Sequence, residues 1–467
     1  MTTPAAAPHR SHWLQEVLPG EEACPTLVGD ERADVAIIGG GLVGLWTALR
    51  IKERDPACDV VVLERDVCGS GASGRNGGFV MSWWPKLASL ERLCGRDDAV
   101  ALARASEAAI GELGRYLDDH SVDAAFHRGG WLWTATSAAQ MGAWDPVMHL
   151  CEQVGVQPFV RLEPEEVARR AGSPRHLAGV FEPAVATVQP AALVRGLRRV
   201  ALEQGVRIFE RTHVRRLGRR RPTMLLTAGG QVRADKVVIA TNAWAANLVE
   251  LHLALVVVSS DIVLTEPIPD RLKEIGWNGG EAITDSQIMV DYYRTTPDGR
   301  IAFGKGGWGI AVAGRVPASF DRHLGRARLV AGDLRRYYPS LSDVRIVDDW
   351  GGPIDRTPDS LPLLGHLGGR EQLIYGVGWS GNGVGPSFLA GKILSALALD
   401  ADDEWSRVPI VNRPLGRFPP EPVRFLGAHI VRQAIVRKER AENAGRQPVW
   451  VDDQLAKLAP AGIEDKK

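Results

Sequence analysis

Cysteine is scarce in this chain, with five residues in 467. Cys24, Cys58, Cys68, Cys94 and Cys151 are odd in number and none stands at CxxC spacing. That excludes a disulfide framework and a thiolate zinc site, so reduced thiols and no metal centre are expected. Excess charge is also lacking. Acidic and basic residues both number 56, which argues against a nucleic-acid partner because no global field draws in polyanions. No run approaches the roughly 18–20 apolar residues a spanning helix needs. The start, Met1 to Arg10, lacks the apolar core of a signal peptide. The expectation is a cytoplasmic protein without a membrane span. No internal repeat or low-complexity tract is evident, and 45% hydrophobic with 24% charged residues is ordinary globular usage.

Glycine is plentiful, and its placement carries the argument. Asp34 to Ile38 reads as a buried strand, Gly39-Gly40-Gly41-Leu42-Val43-Gly44 as a turn into a helix, and Val60 to Leu63 as a second strand ending at Glu64 and Arg65. Gly39 permits the tight turn, Gly41 lets a pyrophosphate approach the backbone, and Gly44 lets helix and strand pack closely. The helix start offers unpaired N–H groups and a positive dipole end to phosphate, and Glu64 is placed to accept from an adenosine ribose. Eleven residues from Cys68 to Gly78 then hold five glycines, among them Gly71, Ala72, Ser73, Arg75, Asn76 and Gly77. Such a loop can lie against a second phosphate and a flat ring, which favours FAD over NAD.

At this loop the chain resembles the D-amino-acid oxidase superfamily of FAD-dependent oxidoreductases, in the branch that contains glycine oxidase, sarcosine oxidase and gamma-glutamylputrescine oxidoreductase. The segment Gly71 to Gly78 is most similar to the last of these. Gln189 to Val194, Val237 to Trp244 and Gly376 to Val384 extend the resemblance over roughly residues 30 to 400. It implies an α/β fold, with a Rossmann-like FAD-binding domain of the glutathione-reductase type and a substrate domain on a mainly antiparallel sheet. The expected division gives residues 30–120, 185–250 and 350–400 to the FAD domain, 121–184 and 251–349 to the substrate domain, and 401–467 to a helical extension. Val214, Ala240 and Trp244 are the expected contacts near the adenine end. Gly381, Asn382, Gly383 and Val384 form a second glycine loop entering a helix, whose backbone donors suit the charge of a reduced flavin at its pyrimidine end.

Substrate chemistry is less visible. Oxidising an amine requires its neutral form, so aromatic neighbours that desolvate an ammonium are the natural wall. Trp83, Trp84 and Trp379 are candidates, against the alternative that they are core anchors. Arg75, Arg294 and Lys305 compete as partners for an acidic group, and the resemblance adds a lysine that accelerates oxygen reduction, which selects Lys305 as a catalytic candidate with Arg294 and Tyr292. Tyr292 and Tyr293 alternate, so one at most can face the ring. With no cysteine after Cys151 and no histidine between Gly69 and Gly78, FAD is expected to be non-covalent.

Oxidation of a primary or secondary amine with an acidic group to an imine, with O2 as acceptor and H2O2 as product, is the leading reading. A hydroxy-acid or polyol-phosphate dehydrogenase feeding a quinone, and a non-catalytic flavin-binding subunit, stay open. Val423, Leu426, Ile430 and Ala434 share one face of a C-terminal helix that packs on the protein or lies on an anionic surface. Arg219-Arg220-Arg221 is expected at an exposed hairpin tip. The sequence leaves the oligomeric state open.

Overall fold

The computed structural model describes residues 9–460, 462 and 464–465. Two eight-stranded sheets organise the chain. In the first, Leu373–Val377, Gly230–Ile239, Gly29–Ile38, Val60–Leu63 and Arg207–Phe209 lie side by side and parallel. Leu363–His366 joins one edge antiparallel. The valine- and isoleucine-rich strands are buried because helices cover the sheet, as parallel strands require. Leu42–Arg54 and Val384–Ala398 pack together there, with Pro190–Glu203 beside the first. Trp46 and Phe388 meet edge to face at 4.8 Å between these helices. The hairpin Arg216–Leu217 with Thr223–Leu226 hangs from Gly230–Ile239, its arginine-rich turn exposed except where Arg219 pairs with Glu250 at 3.1 Å.

The second sheet runs Ile346–Arg356, Val256–Thr265, Ile301–Ile310, Asp291–Thr295, Ala282–Thr284, Trp131–Ala135, Ala178–Glu182 and Val160–Leu162. Its pairings are antiparallel except between Ala282–Thr284 and Trp131–Ala135. The helix Leu324–Tyr337 covers Val263, Ile301 and Phe303 through Val330, Leu334 and Tyr337.

Two local expectations differ from the structure. The strand Val256–Thr265 is continuous, with a register shift between Val258 and Ser260. Ile346–Arg356 pairs along the whole of Val256–Thr265, so the boundary drawn at 350 falls inside a strand of the second sheet. In the C-terminal helix Val423–Asn443, the expected inner face is mostly outside: Val423, Leu426 and Ile430 are 56–59% exposed and Ala434 alone is buried. The helix turns because its inner polar groups find partners. Arg424 donates to the Leu255 carbonyl at 3.2 Å, and Glu439 accepts from the Met289 N–H at 2.8 Å.

Candidate active site

The first glycine turn is built as tightly as its spacing demands. Gly39 has φ +111°, and a Cβ there would sit 2.5 Å from the Ala240 carbonyl. A Cβ on Gly44 would strike the Gly39 carbonyl, so only glycine lets the helix approach the strand. Gly41 faces Ser73, whose Oγ accepts from the Leu42 N–H at 3.0 Å and ties the second loop to the helix start. Glu64 accepts from the Gly40 and Asp66 N–H groups at 2.8 and 2.9 Å. Burial raises its pKa while those donors oppose the rise. Arg65 lies 4.4 Å over the Trp244 ring, whose edge is next to Gly71. Half-buried Val214 follows Thr212, whose N–H donates to the Glu64 carbonyl at 2.7 Å.

Asn76 shapes the loop from within, donating to the Ala72 and Ser73 carbonyls at 3.2 and 2.8 Å and accepting from the Gly78 N–H at 2.7 Å. Arg75 is 5% exposed. Its guanidinium donates to the carbonyls of Ser70, Gly351 and His9 at 2.7, 3.1 and 2.6 Å. Burial lowers its pKa, with Asp321 opposing at 3.6 Å. Its donors therefore hold backbone, and its flank lines the cleft.

The second glycine loop is gathered by Asp355, a residue the sequence analysis missed. Its carboxylate accepts from Trp379 N–H at 3.0 Å, Gly378 N–H at 2.5 Å and Asn242 Nδ2 at 3.1 Å. Burial raises Asp355 to about 7, against the pull of these N–H groups toward the ionised form. The loop passes Gly381, at φ +93°, and enters the helix at Val384. Asn382 donates to the Ser82 carbonyl at 3.3 Å and keeps a buried Oδ1 without a protein partner.

Between these loops runs one cleft of about 1210 Å³, counting its mouth. Gly41, Leu42, Val43, Ala72, Ser73 and Ala240 line one end, and Gly381, Asn382, Gly383 and Val384 the other. Arg75, Asn76 and Gly77 lie along it with Trp379, while Gly39, Gly44, Glu64, Arg65, Gly71, Val214 and Trp244 support the first end from behind or beside it. Two glycine turns facing one trough, a helix start capped by glycine at each, and an orphaned acceptor at Asn382 fit a long dinucleotide with a flat polar ring. Among the described residues, the cleft lining contains no cysteine or histidine.

The substrate-side candidates divide. Tyr292 lines the cleft, its hydroxyl 2.6 Å from Ser260 Oγ, while Tyr293 points into the core and stacks on Phe303 at 4.7 Å. Arg294 lies outside the lining and donates to the carbonyls of Gly77 and Val188, both at 2.7 Å. Burial lowers its pKa to about 10. Lys305 turns toward Leu324–Tyr337, where Asp291 and Asp333 meet its ammonium at 3.0 and 3.2 Å. Burial opposes the charge, but these carboxylates outweigh it and raise the lysine's pKa. An ammonium enclosed there cannot reach a reacting atom in the cleft. Trp83 and Trp84 are core residues, the latter donating to Glu107. Sequence reasoning also missed Asn242, Ser260, Ile354 and Arg356 in the lining. Asn242 lies within the matching segment Val237 to Trp244 but was not singled out there, and the strand positions of the other three gave no motif, although the alternation of Ile346–Arg356 could have placed Ile354 and Arg356 on one face.

Comparison with known proteins agrees with this geometry. The family model described as FAD dependent oxidoreductase, DAO, matches residues 34–397. Gamma-glutamylputrescine oxidoreductase of Escherichia coli (strain K12) is 29% identical over 401 residues, covering 85% of this chain and 91% of that protein. Glycine oxidase of Geobacillus kaustophilus (strain HTA426) is 25% identical over 406 residues, covering 83% and 98%. The crystal structure of glycine oxidase from Geobacillus kaustophilus superposes with a TM-score of 0.67 at 24% identity, over 84% of this chain and 100% of that one. That of L-proline dehydrogenase from P. horikoshii gives 0.63 at 21%, over 82% and 96%.

Proposed function

The chain belongs to the DAO family of FAD-dependent oxidoreductases, and from that premise we propose that it oxidises the C–N bond of a primary or secondary amine, or of an amino acid, to an imine that water hydrolyses. Its cofactor is FAD, held non-covalently by the two glycine loops. Bound there, FAD supplies the acceptor for a hydride. The observation that carries the reading is the wall of the cleft, where Phe79, Met81, Val290 and Trp379 line the same space as the hydrogen-bonded hydroxyls of Tyr292 and Ser260. An apolar wall disfavours an ammonium and keeps the reactive amine neutral. The Tyr292 hydroxyl, whose pKa burial raises, stays protonated and can donate to or orient a substrate atom. Asp355 holds the loop donors, and Arg356, which donates to the Pro460 carbonyl at 3.5 Å, follows it in the lining. The names of the curated relatives, an oxidoreductase of gamma-glutamylputrescine and an oxidase of glycine, support a nitrogen-bearing substrate. O2 is the proposed acceptor, giving H2O2.

Anaerobic titration of the yellow protein with amines, amino acids and hydroxy acids tests this. Bleaching of the visible flavin band by an amine class, followed by peroxide on admitting air, is the expected result. Bleaching by hydroxy acids alone would replace the proposal with a dehydrogenase, and no bleaching by any compound with a non-catalytic flavin subunit.

A further inference from the structure

The family match stops at residue 397, and the chain beyond it lines a second space that shares part of its wall with the cleft. The helix Val423–Asn443 and residues 458–460 lie over the second sheet and enclose a chamber of about 1360 Å³, counting its mouth. The floor is Val258, Met289 and Ile310, and the roof is Val431, Ile435 and Leu458. Val290, Gly306, Ile354 and Arg356 line both this chamber and the flavin cleft, so the two spaces meet along them.

The roof packs on the floor toward one side, where Val431 and Ile435 meet Met289, and is fastened elsewhere by hydrogen bonds. Besides Arg424 and Glu439, Arg432 donates to the Trp308 carbonyl at 2.5 Å. Between these fixed points the helix presents Gly427 and Ala428 to the chamber, and a Cβ on Gly427 would meet no atom within 4 Å. Apolar space left open in a protein interior costs stability. Small residues held above it by a polar rim therefore point to a ligand that fills it.

We propose that this chamber is the outer half of the substrate site and takes an apolar substituent of several carbons, chain or ring, while the C–N bond lies beside Tyr292. The inference rests on the amine-oxidation reading of the cleft. It assigns the substrate class to the extension: residues before 397 set the reaction, and the helix after 423 selects amines with a substantial apolar group.

The test uses the FAD-loaded protein under anaerobic conditions, with n-alkylamines from propylamine to octylamine and n-alkylcarboxylates of matching length. Binding is read from perturbation of the flavin spectrum, separately from bleaching. Each added methylene is expected to tighten Kd about fourfold until the chamber is full. Affinity that does not change with chain length in either series would overturn the proposal. Gly427→Phe, which fills the chamber, is expected to flatten the dependence on length, whereas Ile430→Phe on the exposed face leaves it intact. Equal weakening of every chain length by Gly427→Phe would also overturn it. The carboxylates need no oxidation, so a length dependence among them without bleaching by any amine would sink the amine reading and leave the chamber standing.

Discussion

The two ends of the cleft are made of different materials. The dinucleotide end is backbone: Gly39, Gly41 and Gly44 place carbonyls, N–H groups and a helix start by leaving side chains out. The end proposed for the substrate is side chains, drawn from strands as far apart in sequence as Ser260, Tyr292 and Arg356. Omission at fixed spacing tolerates almost no change, whereas a wall of side chains can be altered residue by residue. A family can therefore keep its cofactor while changing what it oxidises.

Four measurements bear on this contrast. Lys305→Met removes the nearer of two cations paired with buried Asp291, leaving Arg336 at 3.6 Å, and breaking a buried pair of that kind costs about 3–5 kcal/mol of stability. Thermal or urea unfolding checks it. If instead flavin reduction failed while stability held, the lysine would belong to the chemistry. Gly44→Ala pushes the helix off Gly39 and is expected to weaken FAD binding about a hundredfold, near 2.7 kcal/mol. The flavin-to-protein ratio after gel filtration reads it, and full retention would contradict the packing argument. Tyr292→Phe deletes one hydroxyl at the other end. The expected outcome is about a tenfold slower anaerobic reduction by substrate with FAD affinity unchanged, near 1.4 kcal/mol in the barrier.

The fourth measurement reads a slope with pH rather than a single loss. Asp355 has its pKa raised by burial from 3.8 to about 7. The folded protein thus keeps a proton there that the unfolded chain releases. The stability associated with this proton is complete below about pH 4 and is lost as pH rises through about 7. Asp355→Asn should flatten that part of the stability profile, and an unchanged slope in denaturant titrations would exclude Asp355 as its source.

What was legible in the sequence follows the same division. Gly39, Gly41, Gly44 and Glu64 act within one strand–turn–helix–strand unit, so spacing alone located them. The alternation of Tyr292 and Tyr293 also held, because strand geometry separates neighbours whatever surrounds them. The cations were not legible in this way. Arg75 and Arg294 look available in the sequence, but their partners are carbonyls at Gly351, His9, Gly77 and Val188, which only the folded chain brings near. Lys305 likewise turns to Asp333, on a helix no local pattern ties to its strand. Trp83 and Trp84 went to the core for want of a site-facing neighbour. The C-terminal helix faced the other way because Arg424 and Glu439 found backbone partners that an apolar count ignores.

Arg294 has one more consequence. It stands two residues from Tyr292 on the same strand and grips the Gly77 carbonyl, while the Tyr292 ring packs against Gly77 itself. The wall meant for the substrate and the loop meant for the cofactor are thereby one mechanical body. A displacement at either is transmitted through a buried guanidinium rather than through bulk solvent, so arrival of a ligand beside Tyr292 should register as slowed amide exchange at Gly78 and at Val188, whose N–H donates to the Gly78 carbonyl at 2.8 Å, without any contact between that ligand and those amides.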